Sequence, residues 1–131
     1  MEKLIAILLI GLCVITGCSN SKETSLARIE KISVDEVYKI SENIDKYQEY
    51  VIIDVRTEDE YNGGHIKNAI NIPVANISEI EVSKDKKIIV YCRSGSRSTT
   101  AAGELQKLGY KSIYNMGGVL DWNYDLVKEG K

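Results

Sequence analysis

The sequence is poor in the residues that build metal sites and covalent cross-links. It has one histidine and three cysteines in 131 residues. A protein zinc site draws about four ligands, mostly Cys and His, so this chain lacks the ligands for one. We expect neither a metal nor an organic cofactor.

Neither sign of charge dominates. Lys and Arg number 17 and Asp and Glu 19, which gives a net charge of -2, and basic residues cluster only at Lys84, Lys86 and Lys87. Nucleic-acid binding needs concentrated positive charge, so we do not expect it. The length suits one domain with one core and therefore one active site.

A long hydrophobic run occurs only at the N-terminus, where Lys3 precedes the apolar segment from Leu4 to Ile15. A membrane-spanning helix needs about 20 apolar residues, so a permanent transmembrane helix is the weaker interpretation. We predict that residues 1–17 form a secretory signal peptide.

The signal-like segment ends in Ile15-Thr16-Gly17-Cys18. This tetrapeptide resembles the lipobox of bacterial lipoproteins, and the alternative is an ordinary cleavage site beside an incidental Cys. The resemblance implies that Cys18 is lipidated, carries acyl chains such as palmitate and becomes the mature N-terminus. Such a protein would be anchored on the extracytoplasmic face of a bacterial membrane.

Lipidation would leave a single thiol in the mature chain. Cys13 would leave with the signal peptide and Cys18 would be capped, so only Cys92 would remain free. A structural disulfide within the mature chain is then excluded, and a lone thiol outside the cytosol needs another explanation.

The mature chain divides into a polar tether, 18–27, and a folded domain, 28–131. In the domain, short runs rich in Ile and Val alternate with helical patterns, which predicts an α/β fold with a mostly parallel five-stranded sheet and helices on both faces. The predicted strands are Arg28 to Ile32, Tyr50 to Val55, Ala69 to Ile72, Ile88 to Tyr91 and Lys111 to Tyr114.

Capping signals mark the helices. Ser33 and Thr57 each begin a capping-box pattern, and Asn76 precedes a shorter candidate. A longer helix is predicted from about Ser98 to Leu108, with Gly109 as a left-handed cap. A last helix is predicted after Gly117 and Gly118; its expected core residues are Val119, Leu120, Trp122, Leu126 and Val127.

Cys92 ends a predicted strand, and Arg93 to Arg97 lead directly into a helix. Gly95 permits a positive φ, so successive N–H groups can point at the sulfur and form an anion-binding cup. A buried structural Cys is the alternative, but two arginines and a helix N-terminus favour a reactive thiol. Lowering the thiol pKa by about 2 units requires about 2.7 kcal/mol of stabilisation of the thiolate. A helix N-terminus supplies at most about 2 kcal/mol, so we expect Arg93 or Arg97 to help stabilise the thiolate.

Several motifs together resemble those of rhodanese-like sulfurtransferases. The sequence Cys92-Arg93-Ser94-Gly95-Ser96-Arg97-Ser98 is similar to the active-site loop of that family. The remaining matches are Ile53-Asp54-Val55-Arg56, Glu60-Tyr61, Gly64 to Pro73, Gly109-Tyr110 and Gly117-Gly118 through Trp122. The resemblance covers residues 28 to 131.

The resemblance implies sulfur transfer through a persulfide on Cys92. The donor would be a small anion such as thiosulfate, and the acceptor a thiol or cyanide. Backbone N–H groups of Arg93, Ser94, Gly95, Ser96, Arg97 and Ser98 would cradle the sulfur, and the side chains of Arg93 and Arg97 would hold an anionic donor.

Three further residues belong to the family's scaffold motifs. Asp54 and Arg56 are expected to pair and to position neighbouring loops. His65 could act as a base, but we interpret it as a loop histidine with structural hydrogen bonds, because persulfide transfer from a thiolate needs no separate base.

Two rival functions remain. Cysteine phosphatases and arsenate reductases also use a Cys and an Arg before a helix, but with a longer loop than the four residues Arg93 to Ser96. A sulfur-carrier or redox-sensing module, loaded by a protein partner, is the non-enzymatic alternative. The physiological donor and acceptor, the membrane and the oligomeric state are not encoded in any motif.

Overall fold

The computed structural model describes residues 25–128. The predicted signal peptide, the lipidation residue Cys18 and most of the predicted tether lie outside this range. Ala27, the last tether residue, accepts a hydrogen bond from Gln106 Nε2 at 2.7 Å. No helix within 25–128 is long and apolar enough to cross a membrane.

The domain is built on one sheet of five strands. In chain order these are β1 (Ile29–Lys31), β2 (Tyr50–Asp54), β3 (Ile70–Asn71), β4 (Lys87–Cys92) and β5 (Ser112–Gly118). Their spatial order is β1-β5-β4-β2-β3, and every pair of neighbours is parallel. The predicted α/β class is confirmed, and the sheet is entirely parallel.

The helices begin where the sequence carries capping residues. They are α1 (Val34–Glu42), α2 (Glu58–Asn62) and α3 (Ser96–Lys107). Ser33 caps α1 by accepting from the Glu36 N–H, and Thr57 and Glu60 form a complete capping box on α2. Gly109 ends α3 with φ 92°, as predicted. Three 3₁₀ turns, Ile44–Lys46, Val74–Glu79 and Val119–Asp121, complete the elements.

Apolar residues cover both faces of the sheet. Neighbouring strand residues alternate between two core clusters: Ile53 and Ile88 pack with Leu105 of α3, whereas Ile52 and Ile89 pack with Ile40 of α1. Continuous apolar runs therefore mark the central strands β2 and β4, as expected for a sheet covered on both sides.

The last strand is longer than predicted and passes directly beside the end of β4. A register shift between Val90 and Tyr91 lets β5 continue beyond Tyr114, so that Cys92 is paired with Gly118. Two glycines thereby lie next to the candidate site.

Two helix predictions were wrong. Asn76 lies inside the turn Val74–Glu79 instead of before it, because the turn already starts after Pro73. The last helix is reduced to the turn Val119–Asp121, since the chain beyond it is extended where the backbone of Val127 bridges that of His65. Three of the expected core residues are consequently exposed: Leu120 (64%), Leu126 (40%) and Val127 (36%).

Candidate active site

The candidate site lies at the carboxyl end of the central strand β4. Cys92 is the last residue of this strand, between Gly118 of β5 on one side and the end of β2 on the other. Its side chain is almost completely buried, with 1% exposure. Ligands of open parallel sheets bind at this edge, which places the thiol where chemistry is expected.

The loop after Cys92 turns back over the sulfur. Gly95 has φ 105°, a left-handed conformation that side chains rarely adopt, and α3 starts at the next residue. The turn directs the Gly95 N–H at Cys92 Sγ, with an N···S distance of 3.0 Å. The helix begins two residues earlier than predicted, because Gly95 itself occupies the cap position.

The pKa of Cys92 lies below the ordinary value of a thiol. Burial raises it, but hydrogen bonds from the Ser98 N–H and hydroxyl and from the N–H groups of Gly95 and Ser94 lower it further than burial raises it. Hydrogen-bond donors of the loop are thus the main stabilisers of the thiolate, and Arg97 adds an electrostatic interaction with Cys92.

The Ser98 hydroxyl has more acceptors than protons. It lies 3.0 Å from the Gly95 carbonyl oxygen and 3.4 Å from that of Gly117, and it also faces the sulfur. A hydroxyl donates one proton, so it serves the carbonyl or the thiolate at any moment. Ser98 is fully buried, which keeps water from replacing either partner.

Gly118 allows β5 to touch the active-site loop. A Cβ added at this residue would lie 2.4 Å from the Arg93 carbonyl oxygen and 2.7 Å from Ser94 Cα. The same Arg93 carbonyl accepts a hydrogen bond from the Leu120 N–H at 3.1 Å. The loop is thus held against β5 by a contact that only glycine permits.

Arg97 is paired with a residue outside the loop. Its two terminal nitrogens donate to the two carboxylate oxygens of Glu60, at 2.6 and 3.0 Å. The hydrogen bond from Arg97 lowers the Glu60 pKa to about 2, assisted by the N–H and hydroxyl of Thr57. The guanidinium of Arg97, which the resemblance implies would hold an anionic donor, is bound to Glu60 in the structure.

The other predicted binding residues differ in accessibility. Arg93, Ser94 and Ser96 are exposed, and Arg93 forms no ion pair within residues 25–128. Arg93 is therefore the loop cation that a ligand can meet without first displacing a carboxylate.

Asp54 and Arg56 form a buried ion pair behind the site. Arg56 Nη2 lies 2.6 Å from Asp54 Oδ2 and also donates to the Gly64 carbonyl at 2.7 Å. Asp54 is fully buried and Arg56 is 6% exposed. The pair links the end of β2 to the loop that precedes His65, a geometry that matches positioning of loops rather than contact with substrate.

Tyr91 supports the same loop from below. It is fully buried, and its hydroxyl oxygen accepts from the Ile66 N–H at 3.0 Å. The Arg56 guanidinium lies 5.7 Å from the centre of its ring. Burial raises the Tyr91 pKa, so the phenol stays protonated.

His65 makes structural contacts. Its ring stacks on that of Tyr61 with 3.8 Å between the centroids, and Nδ1 lies 3.0 Å from the Tyr61 carbonyl oxygen, to which it donates. Its backbone exchanges two hydrogen bonds with Val127. Within residues 25–128, no group of Cys, His, Asp and Glu could hold a metal ion.

Glu60, Tyr91 and Gly118 have roles that the sequence motifs do not reveal. Glu60 and Gly118 lie in motifs that resemble the family, and Tyr91 lies in a predicted strand. A signal existed for Gly118, since a glycine at the end of a strand indicates close approach of another backbone segment. No local pattern indicates that Glu60 reaches Arg97, which is 37 residues away.

Comparisons with known proteins support the family resemblance seen in the sequence motifs. Residues 33–125 match the family model described as "Rhodanese-like domain". A thiosulfate sulfurtransferase, GlpE, of Coxiella burnetii is 36% identical over 80 residues, which cover 59% of this chain and 75% of the relative. A sulfurtransferase of Allochromatium vinosum is 33% identical over 86 residues, 63% of this chain and 80% of the relative.

Solved structures agree with the sequence matches. The crystal structure of a rhodanese-related protein from Thermoplasma volcanium has a TM-score of 0.64 at 31% identity and covers 76% of this chain and 99% of its own. The family match spans β2 to β5, the Cys92 loop and α3. The chain belongs to the family of rhodanese-like domains.

Proposed function

We propose that this protein is a sulfurtransferase that carries sulfane sulfur as a persulfide on Cys92. The observation that carries the proposal is the position of Cys92 Sγ beneath N–H donors of the loop, those of Ser94, Ser98 and Gly95, with the Gly95 nitrogen at 3.0 Å. Relatives named sulfurtransferase and thiosulfate sulfurtransferase support the same class of reaction.

The reaction has two balanced steps. The Cys92 thiolate attacks the outer sulfur of thiosulfate; a new S–S bond forms, the old S–S bond breaks, and sulfite leaves with its electron pair. A nucleophilic acceptor such as cyanide or a thiolate then attacks the same sulfur, and Cys92 leaves as a thiolate. The fixed N–H donors stabilise the negative charge that moves among the three groups.

Intact-mass measurement tests the first step. Thiosulfate should add one sulfur atom to the wild type and none to Cys92→Ser, whose hydroxyl cannot hold sulfane sulfur. The variant should fold normally because Ser is close to Cys in size. Turnover of thiosulfate and cyanide by Cys92→Ser above a small fraction of wild type would contradict the assignment of the nucleophile.

Arg97 argues against the phosphatase alternative. Phosphate hydrolysis would require a guanidinium that can clasp a tetrahedral oxyanion, whereas both terminal nitrogens of Arg97 are engaged by Glu60. We expect negligible hydrolysis of aryl phosphates. Robust hydrolysis of an aryl phosphate that depends on Cys92 would favour the phosphatase over the sulfurtransferase.

We also propose that the domain is anchored to the extracytoplasmic face of a bacterial membrane through lipid on Cys18. The support is the sequence Ile15-Thr16-Gly17-Cys18 after a short apolar run. Wild-type protein should resist extraction from membranes by salt, and Cys18→Ala should lose the lipid mass. Unchanged membrane attachment of Cys18→Ala would contradict the anchor.

A further inference from the structure

The Arg97–Glu60 pair changes the charge that a sulfur donor meets. Both carboxylate oxygens of Glu60 are used, at 2.6 and 3.0 Å from the Arg97 nitrogens, and the side chains are 34% and 30% exposed. Arg97 stands in the first turn of α3, at the end of the Cys92 loop. A guanidinium so paired adds almost no net charge to the site.

The remaining charges near the loop leave little attraction for a dianion. Arg56 is neutralised by Asp54, which leaves Arg93 as the exposed cation of the loop. Glu58 and Asp59 are exposed and occupy the same helical turn as Glu60. The helix that carries Glu60 thus adds no positive charge to that of Arg93.

The surface next to the loop is also apolar in part. Leu120 is 64% exposed, and its backbone N–H is bonded to the Arg93 carbonyl. An organic substituent on the leaving group of the donor could cover this side chain, whereas the charged oxygens of a sulfite leaving group could not do so favourably.

We propose that Glu60 determines the charge preference of the site: by neutralising Arg97, it favours organic sulfur donors that carry at most one negative charge over dianionic thiosulfate. Glu60 acts through Arg97 and not on the reacting atoms, so it is a specificity-determining residue. The inference rests on the proposed persulfide on Cys92 and specifies the donor class for that step.

Methanethiosulfonate is the matched probe for this proposal. It resembles thiosulfate but has a methyl group in place of one charged oxygen, so it carries one negative charge instead of two. The Cys92 thiolate would take its terminal sulfur; one S–S bond forms, one breaks, and methanesulfinate leaves with the electron pair. Neither donor requires an external oxidant or reductant.

The experiment compares kcat/KM for the two donors in the purified protein, with cyanide as acceptor. We expect wild type to prefer methanethiosulfonate and Glu60→Gln to shift the ratio toward thiosulfate by about 3- to 10-fold, the effect of one charge several ångström away in half-exposed surroundings. Raising the ionic strength to about 0.5 M should reduce this shift, because salt screens exposed charges.

Three further variants separate charge from structure. Glu58→Gln removes a charge from the same helix without touching Arg97 and should shift the ratio by less than about 2-fold. Arg97→Gln leaves Glu60 unneutralised and should move the ratio in the opposite direction, which also tests the proposal if Glu60→Gln fails to fold. The double variant, Glu60→Gln with Arg97→Gln, restores the net charge and should return the ratio close to wild type.

The outcomes are distinct. An equal proportional change for both donors in Glu60→Gln, with no change in their ratio, would show that Glu60 only supports the structure and would overturn the inference. A wild type that prefers thiosulfate would also overturn it. Absence of added sulfur on Cys92 with either donor would instead refute the proposed sulfurtransferase function itself.

Discussion

The single proton of the Ser98 hydroxyl links the ionisation of Cys92 to the hydrogen bonding of its loop. The hydroxyl lies 3.0 Å from the Gly95 carbonyl and also contributes to the lowered Cys92 pKa. When the thiol ionises, donation to the sulfur becomes the stronger bond, because charge-assisted hydrogen bonds exceed neutral ones. The loop can therefore respond to the charge on the sulfur by reorienting one O–H bond.

Ser98→Ala should accordingly raise the pKa of Cys92. The rate of alkylation by iodoacetamide as a function of pH reports this pKa directly, and its midpoint should move upward in the variant. Thr99→Ala is the matched control, since Thr99 Oγ1 donates to the same Gly95 carbonyl at 2.8 Å but is exposed. An unchanged midpoint in Ser98→Ala would show that backbone N–H groups alone determine the pKa.

A methyl group at residue 118 should separate β5 from the loop. Gly118→Ala would put Cβ 2.4 Å from the Arg93 carbonyl oxygen, and relieving that overlap should cost about 1–3 kcal/mol of unfolding free energy and most of the sulfur transfer. Urea unfolding and turnover provide the measurement.

Gly103→Ala is the control for that substitution. Gly103 lies inside α3 with nothing within 4 Å of an added Cβ, so alanine should stabilise the protein by about 0.5–1 kcal/mol through helix propensity. A Gly118→Ala protein as stable and active as wild type would mean that the loop and β5 move apart freely.

Sequence patterns predicted the positions of single residues where those positions depend on neighbours in the sequence. Cys92 at the end of a strand, Gly95 at a left-handed turn and Gly109 at a helix end all follow from neighbouring residues. The Arg97–Glu60 pair does not, because its members are 37 residues apart and many carboxylates could satisfy an arginine equally well.

Among the secondary structure elements, α2 is joined to α3 by a titratable contact. Glu60 is both the third residue of its capping box and the partner of Arg97, and its pKa of about 2 lies below that of an unfolded glutamate. A depressed pKa in the folded state means that the contribution to stability is complete above about pH 4.5 and is lost as pH falls toward 2.

We therefore expect part of the acid-induced loss of stability to disappear in Glu60→Gln. Because the pair is about one-third exposed, its contribution should be about 1 kcal/mol or less. Glu42→Gln, which breaks the more exposed pair with Lys67, should have a smaller effect. Urea unfolding at several pH values between 2 and 6 measures both. Parallel curves for wild type and Glu60→Gln would contradict the linkage.

Helices were predictable from their caps and not from apolar spacing alone. Ser33 and Thr57 correctly marked α1 and α2, since the capping hydrogen bonds are made within a few residues. The apolar residues after Gly118 suggested a helix, but the bridge between Val127 and His65 favours an extended chain there. That bridge joins segments far apart in sequence, so no local pattern could indicate it.

The two faces of the sheet should unfold together. Leu105 belongs to the cluster beneath α3, whereas Trp122 packs against the cluster on the opposite face, and β2 and β4 contribute to both. Leu105→Ala should lower the unfolding free energy by about 2–5 kcal/mol. Circular dichroism and Trp122 fluorescence should report the same midpoint in this variant.

Leu126→Ala provides the comparison, because Leu126 is already 40% exposed and its truncation should cost less than about 1 kcal/mol. Separate transitions for the two probes in Leu105→Ala would show that the faces unfold independently.

The overall fold class was predictable because alternating Ile-rich strands and capped helices leave few arrangements. The register shift that brings Gly118 beside Cys92 was not predictable.

Because all five strands are parallel, the strands start at one end of the sheet and finish at the other. Residues 25–28 lie beside Lys107 and Lys111, at the edge where the strands start, whereas Cys92 closes a six-residue strand at the opposite edge. At about 3.3 Å per residue, the strand separates these two ends by about 20 Å. A molecule that approaches the Cys92 loop can therefore do so without contacting residues 25–28, where the described chain begins.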